Sequence, residues 1–535
     1  MSHLPERPPQ GGGLVMLKRA ARFPPIAILI LVIVAGALFV PGVADLPATD
    51  RDEALFVQAT RQMHETGNYL DIRFQDEARY KKPIGIYWLQ AAATAPFGGA
   101  DAPLWAYRLP SQVAAFGSVL LVYAIGWTLF GSASGFVGAL LFAATILIGV
   151  EARLAKTDSV LLFLTLAAQW VLASAWVRTA PVPRAAGTGR TGASPPGARL
   201  PTAMALGFWV ALGLGILVKG PVVVLVVGLT LLGLTVARRS AALLGSLRPL
   251  AGLPLMLLVV LPWFAAIAYQ TDGAFFSEAI GHDFLGKIAG GQESHGAPPG
   301  SYLLALLGTA WPATPFVLLA WPLMTRDWRR PGTLFCLAWL VPAWLVFEAI
   351  PTKLPHYVLP LYPALALMAG RALVTGRTIG IRGWARGLGF LLPLVPLVLG
   401  LAALGLLLFV ERRLPAWTDL FLIAAIAAGL LGARAFWNGR VQAAVVSGIL
   451  ASAALQAGIY MFALPAFETV WLSPRIVGEA ERAAGCPDVA IAAAGYTEPS
   501  LVLSAGTDLR RGSGEAAADW LAGEGCRVAA VEGRA

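Results

Sequence analysis

The sequence predicts an all-α polytopic membrane protein of about thirteen transmembrane helices, with amphipathic helices in its first outer loop and a small C-terminal α/β lobe. Three observations predict it. Of 535 residues, 57% are hydrophobic and only 13% are charged, about half the charged share of a soluble domain and too little to clothe a water-facing surface. Apolar runs of roughly 20 residues, the length that crosses a bilayer, recur along the chain. The 33 Arg and 7 Lys, which give a net charge of +10, lie between those runs. The basic balance therefore reports topology and calls for no nucleic-acid partner.

The elements follow in order. Residues 1–23 carry Arg7, Lys18, Arg19 and Arg22 and are placed in the cytoplasm. The first apolar run, from about Pro24 to Val40, lacks a small-residue cleavage site and reads as an uncleaved anchor. Candidate spans lie near 24–43, 104–130, 133–150, 158–177, 203–218, 219–237, 250–270, 301–323, 333–350, 356–375, 386–410, 418–434 and 441–464. The pair flanking Lys219 is short and reads equally well as one broken helix. Alternating sides puts Arg178, Arg184, Arg190 and Arg199, then Arg238, Arg239 and Arg248, then Arg326, Arg329 and Arg330, then Arg371, Arg377, Arg382 and Arg386, then Arg434 and Arg440 into inner connections. The positive-inside rule is met at each of them. Residues 24–464 form the membrane domain, its first outer loop is 44–103, and residues 465–535 form the outer lobe. In a bacterial inner membrane this orientation makes the outer loops and the C-terminus periplasmic. The Pro- and Gly-rich stretch 181–202 reads as a flexible cytoplasmic loop without a site. Cys336 lies inside a span, as a packing residue. Cys486 and Cys526 share the outer tail, either as a disulfide in an oxidising compartment or as two buried thiols.

The outer connections hold six of the seven Lys (Lys81, Lys82, Lys156, Lys219, Lys287, Lys353) and four of the five His (His64, His282, His295, His356). Either these snorkel from helix ends, or that face holds an anion site. Asp52 and Glu53 start a roughly helical apolar repeat, where the helix dipole favours ionised carboxylates. Such a group can orient or deprotonate an attacking hydroxyl, or merely cap the helix. Tyr80-Lys81-Lys82-Pro83, followed by the aromatic stretch through Tyr87 and Trp88, suits a phosphate at headgroup level or a general lipid anchor. Glu151, Arg153, Lys156 and Asp158 fall within eight residues at a span boundary, an expensive arrangement unless they pair with one another or serve a site. Lys219, followed by Gly220-Pro221, breaks an apolar stretch where a bend is favoured. The loop 271–300, with His282, Asp283, Lys287, Glu293 and His295, could close over a site. His282 and Asp283 match no strong metal motif, so no metal is assigned. Lys353, His356 and Tyr357 stand where they can reach an anionic headgroup.

As an ordered set these motifs resemble the polyprenyl-phosphate-sugar-dependent GT-C glycosyltransferases of the protein mannosyltransferase and lipid A aminoarabinose transferase type. The resemblance is carried by Asp52-Glu53, Lys82-Pro83 with Tyr87-Trp88, Glu151 through Asp158, Leu217 through Pro221 and Thr352 through Tyr357, and covers most of residues 24–375. It implies a GT-C helix bundle, a sugar donor linked through phosphate to undecaprenol or a similar lipid, and inverting transfer to an envelope acceptor, lipid A or lipopolysaccharide first. Asp52 matches the catalytic acidic position, with Glu53 beside it. Lys82 matches the Lys that holds the lipid phosphate, and Lys81, Lys219, Lys353 and Arg153 extend that set. Asp158, Glu151, Lys156, His282, His356 and Tyr357 are assigned as supporting or acceptor residues. Aminoarabinose transferases of this type usually carry a Glu before the Lys-Pro, associated with a metal; here that position is Lys81. The substitution weakens the case for both a divalent metal and an aminoarabinose sugar, and it admits an acidic sugar such as a uronic acid as well as a neutral one. A protein O-mannosyltransferase-like enzyme is the alternative within the type, and the chain is expected to act as a monomer. A transporter or flippase would carry charges at mid-depth and an internal repeat of broken helices; the charges gather at one surface and no clear repeat is seen. A receptor or assembly protein would carry a larger outer domain.

Overall fold

The computed structural model describes residues 15–49, 51–179, 200–279, 281, 296–381, 383–486 and 488–533. In hydrocarbon every backbone amide must find its partner within its own segment, and helices achieve this. Among the described residues, nine helices are long and apolar enough to cross a bilayer, and the bent pair Val15–Ala21 and Pro24–Phe39 brings the count to ten. Two shorter apolar helices, Ser132–Ala143 and Val222–Arg238, join the bundle. The chain is thus a multi-pass α-helical membrane protein, and each apolar stretch expected from the sequence is helical. The stretch 301–323 is broken into Ser301–Thr309, Thr314–Leu319 and Trp321–Arg326. Pro312, Pro315 and Pro322 withhold amide donors there.

Packing separates a protein side from a lipid side. On Pro249–Gln270, Trp263 and Ile267 are buried while Leu250, Leu253, Leu257, Leu258 and Leu261 are exposed, a face that only an apolar solvent would leave uncovered. Helices approach closely where side chains are absent: a Cβ at Gly370 would stand 2.6 Å from the backbone nitrogen of Gly138. Leu104–Phe130 has 27 residues, about 40 Å of helix against roughly 30 Å of hydrocarbon. Its first turns therefore reach beyond the bilayer into the loop 44–103.

That loop is built from two helices, Arg51–Thr66 and Gly85–Thr94, with a short antiparallel hairpin between them, β1 (Arg73–Phe74) and β2 (Glu77–Ala78). Arg51–Thr66 is amphipathic and buries Phe56, Ala59, Thr60 and Met63. The C-terminal lobe is a parallel three-stranded sheet of β3 (Ala490–Ala494), β4 (Arg510–Gly512) and β5 (Arg527–Val531), ordered β4-β3-β5. Helices Pro499–Ala505 and Gly514–Leu521 make its crossovers, and Cys486 and Cys526 are disulfide-bonded.

The lobe docks onto the first loop. Phe74 from β1 enters the lobe core beside Val477, Ile491, Leu501, Val502 and Leu509. The Gln75 side chain donates to the carbonyls of Thr507 (2.9 Å) and Leu509 (2.7 Å), and Gln58 donates to the Thr507 hydroxyl at 2.7 Å. Most of the stretch 181–202 lies outside the described residues, as do His282, Asp283, Lys287, Glu293 and His295 of the loop expected to close over a site.

Candidate active site

A cavity of about 690 Å³ opens where the first loop meets the ends of four other segments. Its polar wall includes Asp52, Arg79, Lys81, Lys82, Lys156, Asp158, Lys219, His356 and Tyr357. Its apolar wall includes Leu161, Ile216, Val222, Leu225, Phe264, Phe275, Phe276, Val346 and Phe347. The described lining carries five Lys and Arg against two Asp. The chamber is therefore largely apolar, and its charged lining is net cationic.

Asp52 lies in the first turn of Arg51–Thr66. Its side chain is 55% exposed, and Arg79 Nη2 stands 3.7 Å from Oδ1. Burial beside the cavity wall by itself raises the carboxyl pKa, but the charges of Arg79, Lys156, Lys82 and Lys219 outweigh it and hold the group below the usual carboxylate range. Asp52 is thus ionised at neutral pH and able to accept a proton.

The second cluster forms where three helix ends meet. Lys219 closes Thr202–Lys219, and Gly220 at φ +67° turns the chain into Val222–Arg238. Lys219 Nζ donates to Asp158 Oδ1 at 2.5 Å and lies 5.5 Å from the Tyr357 ring centre. His356 stands 4.0 Å from Asp158 and 3.7 Å from Glu151. Lys82 Nζ donates to the Lys81 carbonyl at 3.1 Å.

Eight of the thirteen site residues expected from the sequence thus share this wall: Asp52, Lys81, Lys82, Lys156, Asp158, Lys219, His356 and Tyr357. Four others stand apart from it. Glu53 is fully buried, accepting from Arg108 Nε (2.8 Å) and Nη2 (2.9 Å) and from the amides of Ala155 (2.8 Å) and Thr49 (3.0 Å). Its acceptor capacity is spent on tying the loop helix to two neighbours. Arg153 is buried against the carbonyls of Pro41, Gly149 and Leu38, over the Tyr460 ring. Lys353 donates to the Ile350 carbonyl at 2.6 Å and does not line the cavity. Glu151 is buried behind His356. His282 lies outside the described residues.

Arg79 and Phe56 are wall residues that motif reasoning passed over. The signal for Arg79 was present: Arg79, Lys81 and Lys82 place three cations within four residues of the loop 44–103. At the position that the resemblance associates with a metal the chain has Lys81, and among the described residues no three His, Cys, Asp or Glu side chains converge.

The chain matches the dolichyl-phosphate-mannose-protein mannosyltransferase family model over residues 81–182. It is 27% identical over 374 residues to undecaprenyl phosphate-alpha-4-amino-4-deoxy-L-arabinose arabinosyl transferase 2 of Pseudomonas fluorescens, covering 68% of this chain and 62% of that one. It is 29% identical over 386 residues to the corresponding transferase of Pseudomonas aeruginosa strain UCBPP-PA14, covering 70% and 64%. The chain spans a little under two thirds of the length of these relatives. Its fold matches that of ArnT from Cupriavidus metallidurans bound to undecaprenyl phosphate, with TM-score 0.71 and 18% identity over 90% of this chain and 85% of that one. The archaeal oligosaccharyltransferase AglB from Archaeoglobus fulgidus, in complex with an inhibitory peptide and a dolichol-phosphate, matches with TM-score 0.51 and 11% identity over 90% and 63%. The chain therefore has the fold of ArnT, a GT-C fold, and it is similar in sequence to transferases named for undecaprenyl phosphate-linked 4-amino-4-deoxy-L-arabinose.

Proposed function

We propose that this protein is an inverting glycosyltransferase that moves a sugar from a polyprenyl-phosphate donor to an envelope acceptor, lipid A or lipopolysaccharide first. It would act as a monomer at the periplasmic face of the bacterial inner membrane. The observation that carries the reading is the sharing of one largely apolar chamber by an ionised carboxylate, Asp52, and a cationic wall at Lys82. Similarity to named arabinosyl transferases over 68–70% of the chain supports it.

In this reading the isoprenoid tail lies along Phe264, Phe275, Phe276 and Phe347, while the phosphate meets Lys82 and Lys81. Lys219, held by Asp158, adds positive charge nearby. The acceptor oxygen attacks the anomeric carbon on the side opposite the phosphate. The bond from that carbon to the phosphate oxygen breaks, and its electron pair leaves with the polyprenyl phosphate. Asp52 accepts the proton of an acceptor hydroxyl. Cations already aimed at the departing phosphate stabilise its growing charge, each such donor contributing roughly 10²–10³ in rate.

A hydroxyl acceptor needs the base; a lipid A phosphate, largely ionised near pH 7, needs only orientation. The family-model match over residues 81–182 favours a protein O-mannosyltransferase-like enzyme as the second reading. Mass spectrometry of envelope lipids and glycans from cells with and without the protein decides between them. Loss of a hexose, uronic acid or aminopentose from lipid A supports the first, and loss from a protein supports the second. Unchanged lipids, polysaccharides and glycoproteins would refute both.

A further inference from the structure

Arg79 is placed with unusual care for a residue with so few partners. The β1–β2 hairpin turns through Gln75 at φ +55°, and the Arg79 amide donates back to the Ile72 carbonyl at 2.8 Å. The lobe pins this hairpin through Phe74 and Gln75. The guanidinium lies 4.9 Å over the Phe56 ring, one helical turn after Asp52. Only 6% of Arg79 is exposed, yet Nε and Nη1 are buried with no hydrogen-bond partner, and Nη2 lies 3.7 Å from Asp52, beyond a short hydrogen bond. Tyr87, packed on the same Phe56 ring at 5.4 Å, also buries an unpartnered hydroxyl.

Leaving buried guanidinium donors unmet is costly. Such a cost persists where a ligand meets them, and a planar fork of donors suits a carboxylate. We infer that Arg79 determines substrate specificity by binding a carboxylate on the transferred sugar, so that the donor is a polyprenyl-phosphate-linked uronic acid. This deepens the glycosyl-transfer reading and rests on it. Arg79 belongs to the wall of the chamber and is nearly closed to solvent. The group it meets must therefore enter fully, as the transferred sugar must and the acceptor, which presents only its nucleophile, need not. The positive charge of Arg79 also offsets repulsion between a sugar carboxylate and ionised Asp52.

The test uses the full-length protein in lipid vesicles, supplied with a polyprenyl-phosphate-linked hexuronic acid or with the matching neutral hexose. Each donor is paired with a phosphorylated and a dephosphorylated lipid A acceptor. The measured quantity is the ratio of kcat/KM between the two donors, in which any general loss of activity cancels. The wild type is expected to favour the uronic acid by roughly 10- to 100-fold. Arg79→Gln should bring that ratio near one, and Arg79→Lys, which keeps charge but loses the fork, should leave an intermediate ratio. A wild type that favours the hexose overturns the inference, as does a ratio unchanged in both variants. Selectivity that follows the acceptor phosphate with either donor overturns the sugar-carboxylate assignment. Transfer of the hexose alone leaves the glycosyl-transfer reading standing; transfer of neither sugar removes both.

Discussion

Adjacent carboxylates on one helix should fail in opposite ways when altered. Asp52 and Glu53 are sequence neighbours, but a helix turns about 100° per residue, and one faces the chamber while the other faces Arg108. Glu53 and Arg108 are both fully buried, with short bonds from Arg108 Nε and Nη2 and from the amides of Ala155 and Thr49. Glu53→Ala leaves Arg108 charged and buried, facing only the carbonyls of Val43, Leu46 and Pro47. Removing one partner of such a pair costs about 3–5 kcal/mol, and it also frees the start of the loop helix from Ala155. Glu53→Gln, which keeps the shape and loses the charge, should cost less and remain purifiable. Asp52 is more than half exposed, and its pair with Arg79 is long, so Asp52→Asn should change stability by at most about 1 kcal/mol. Its turnover on a hydroxyl acceptor should fall roughly 10²–10⁴-fold. The assay is thermal unfolding of detergent-purified variants beside turnover per folded molecule. Glu53→Gln with wild-type stability and turnover as low as that of Asp52→Asn would refute this division of roles. So would near-wild-type turnover of Asp52→Asn on both hydroxyl and phosphate acceptors.

Three further outcomes follow from the same geometry. Lys82→Ala should weaken binding of polyprenyl phosphate, measured by native mass spectrometry, and lower turnover by roughly 10²–10³-fold. The depressed pKa of Asp52 keeps the base ionised as pH falls, so the acid limb of kcat/KM should lie below the ordinary Asp value of about 3.9. Lys156→Gln removes one of the charges responsible and should move that limb upward. Cys486 and Cys526 close a 40-residue separation, and the chain-entropy account assigns such a link about 4 kcal/mol. Replacing both by Ser should sensitise the lobe to limited proteolysis before the membrane helices.

Much of this architecture was legible because hydrocarbon imposes simple rules. Apolar length marked the helices, including the break at Lys219-Gly220-Pro221, and the Lys and carboxylate clusters marked the chamber wall. Pairings across long separations were hidden. Nothing local says that Glu53 meets Arg108, 55 residues away, or that Arg153 spends its donors on helix-end carbonyls. Lys353 looked like Lys82 in sequence, but Lys82 lines the chamber and Lys353 does not. Arg79 needed the hairpin and the docked lobe to acquire its aim, and the contact of Phe74 with residues more than 400 positions later has no local signature.

Inverting transfer from a lipid phosphate can be followed by reconstituting the protein with a synthetic polyprenyl-phosphate sugar of known anomeric configuration and a lipid A acceptor. One free polyprenyl phosphate is expected for each glycosylated acceptor, with the opposite anomeric configuration in the product by NMR. Retained configuration, or movement of the intact donor across the bilayer without a glycosylated product, would contradict it.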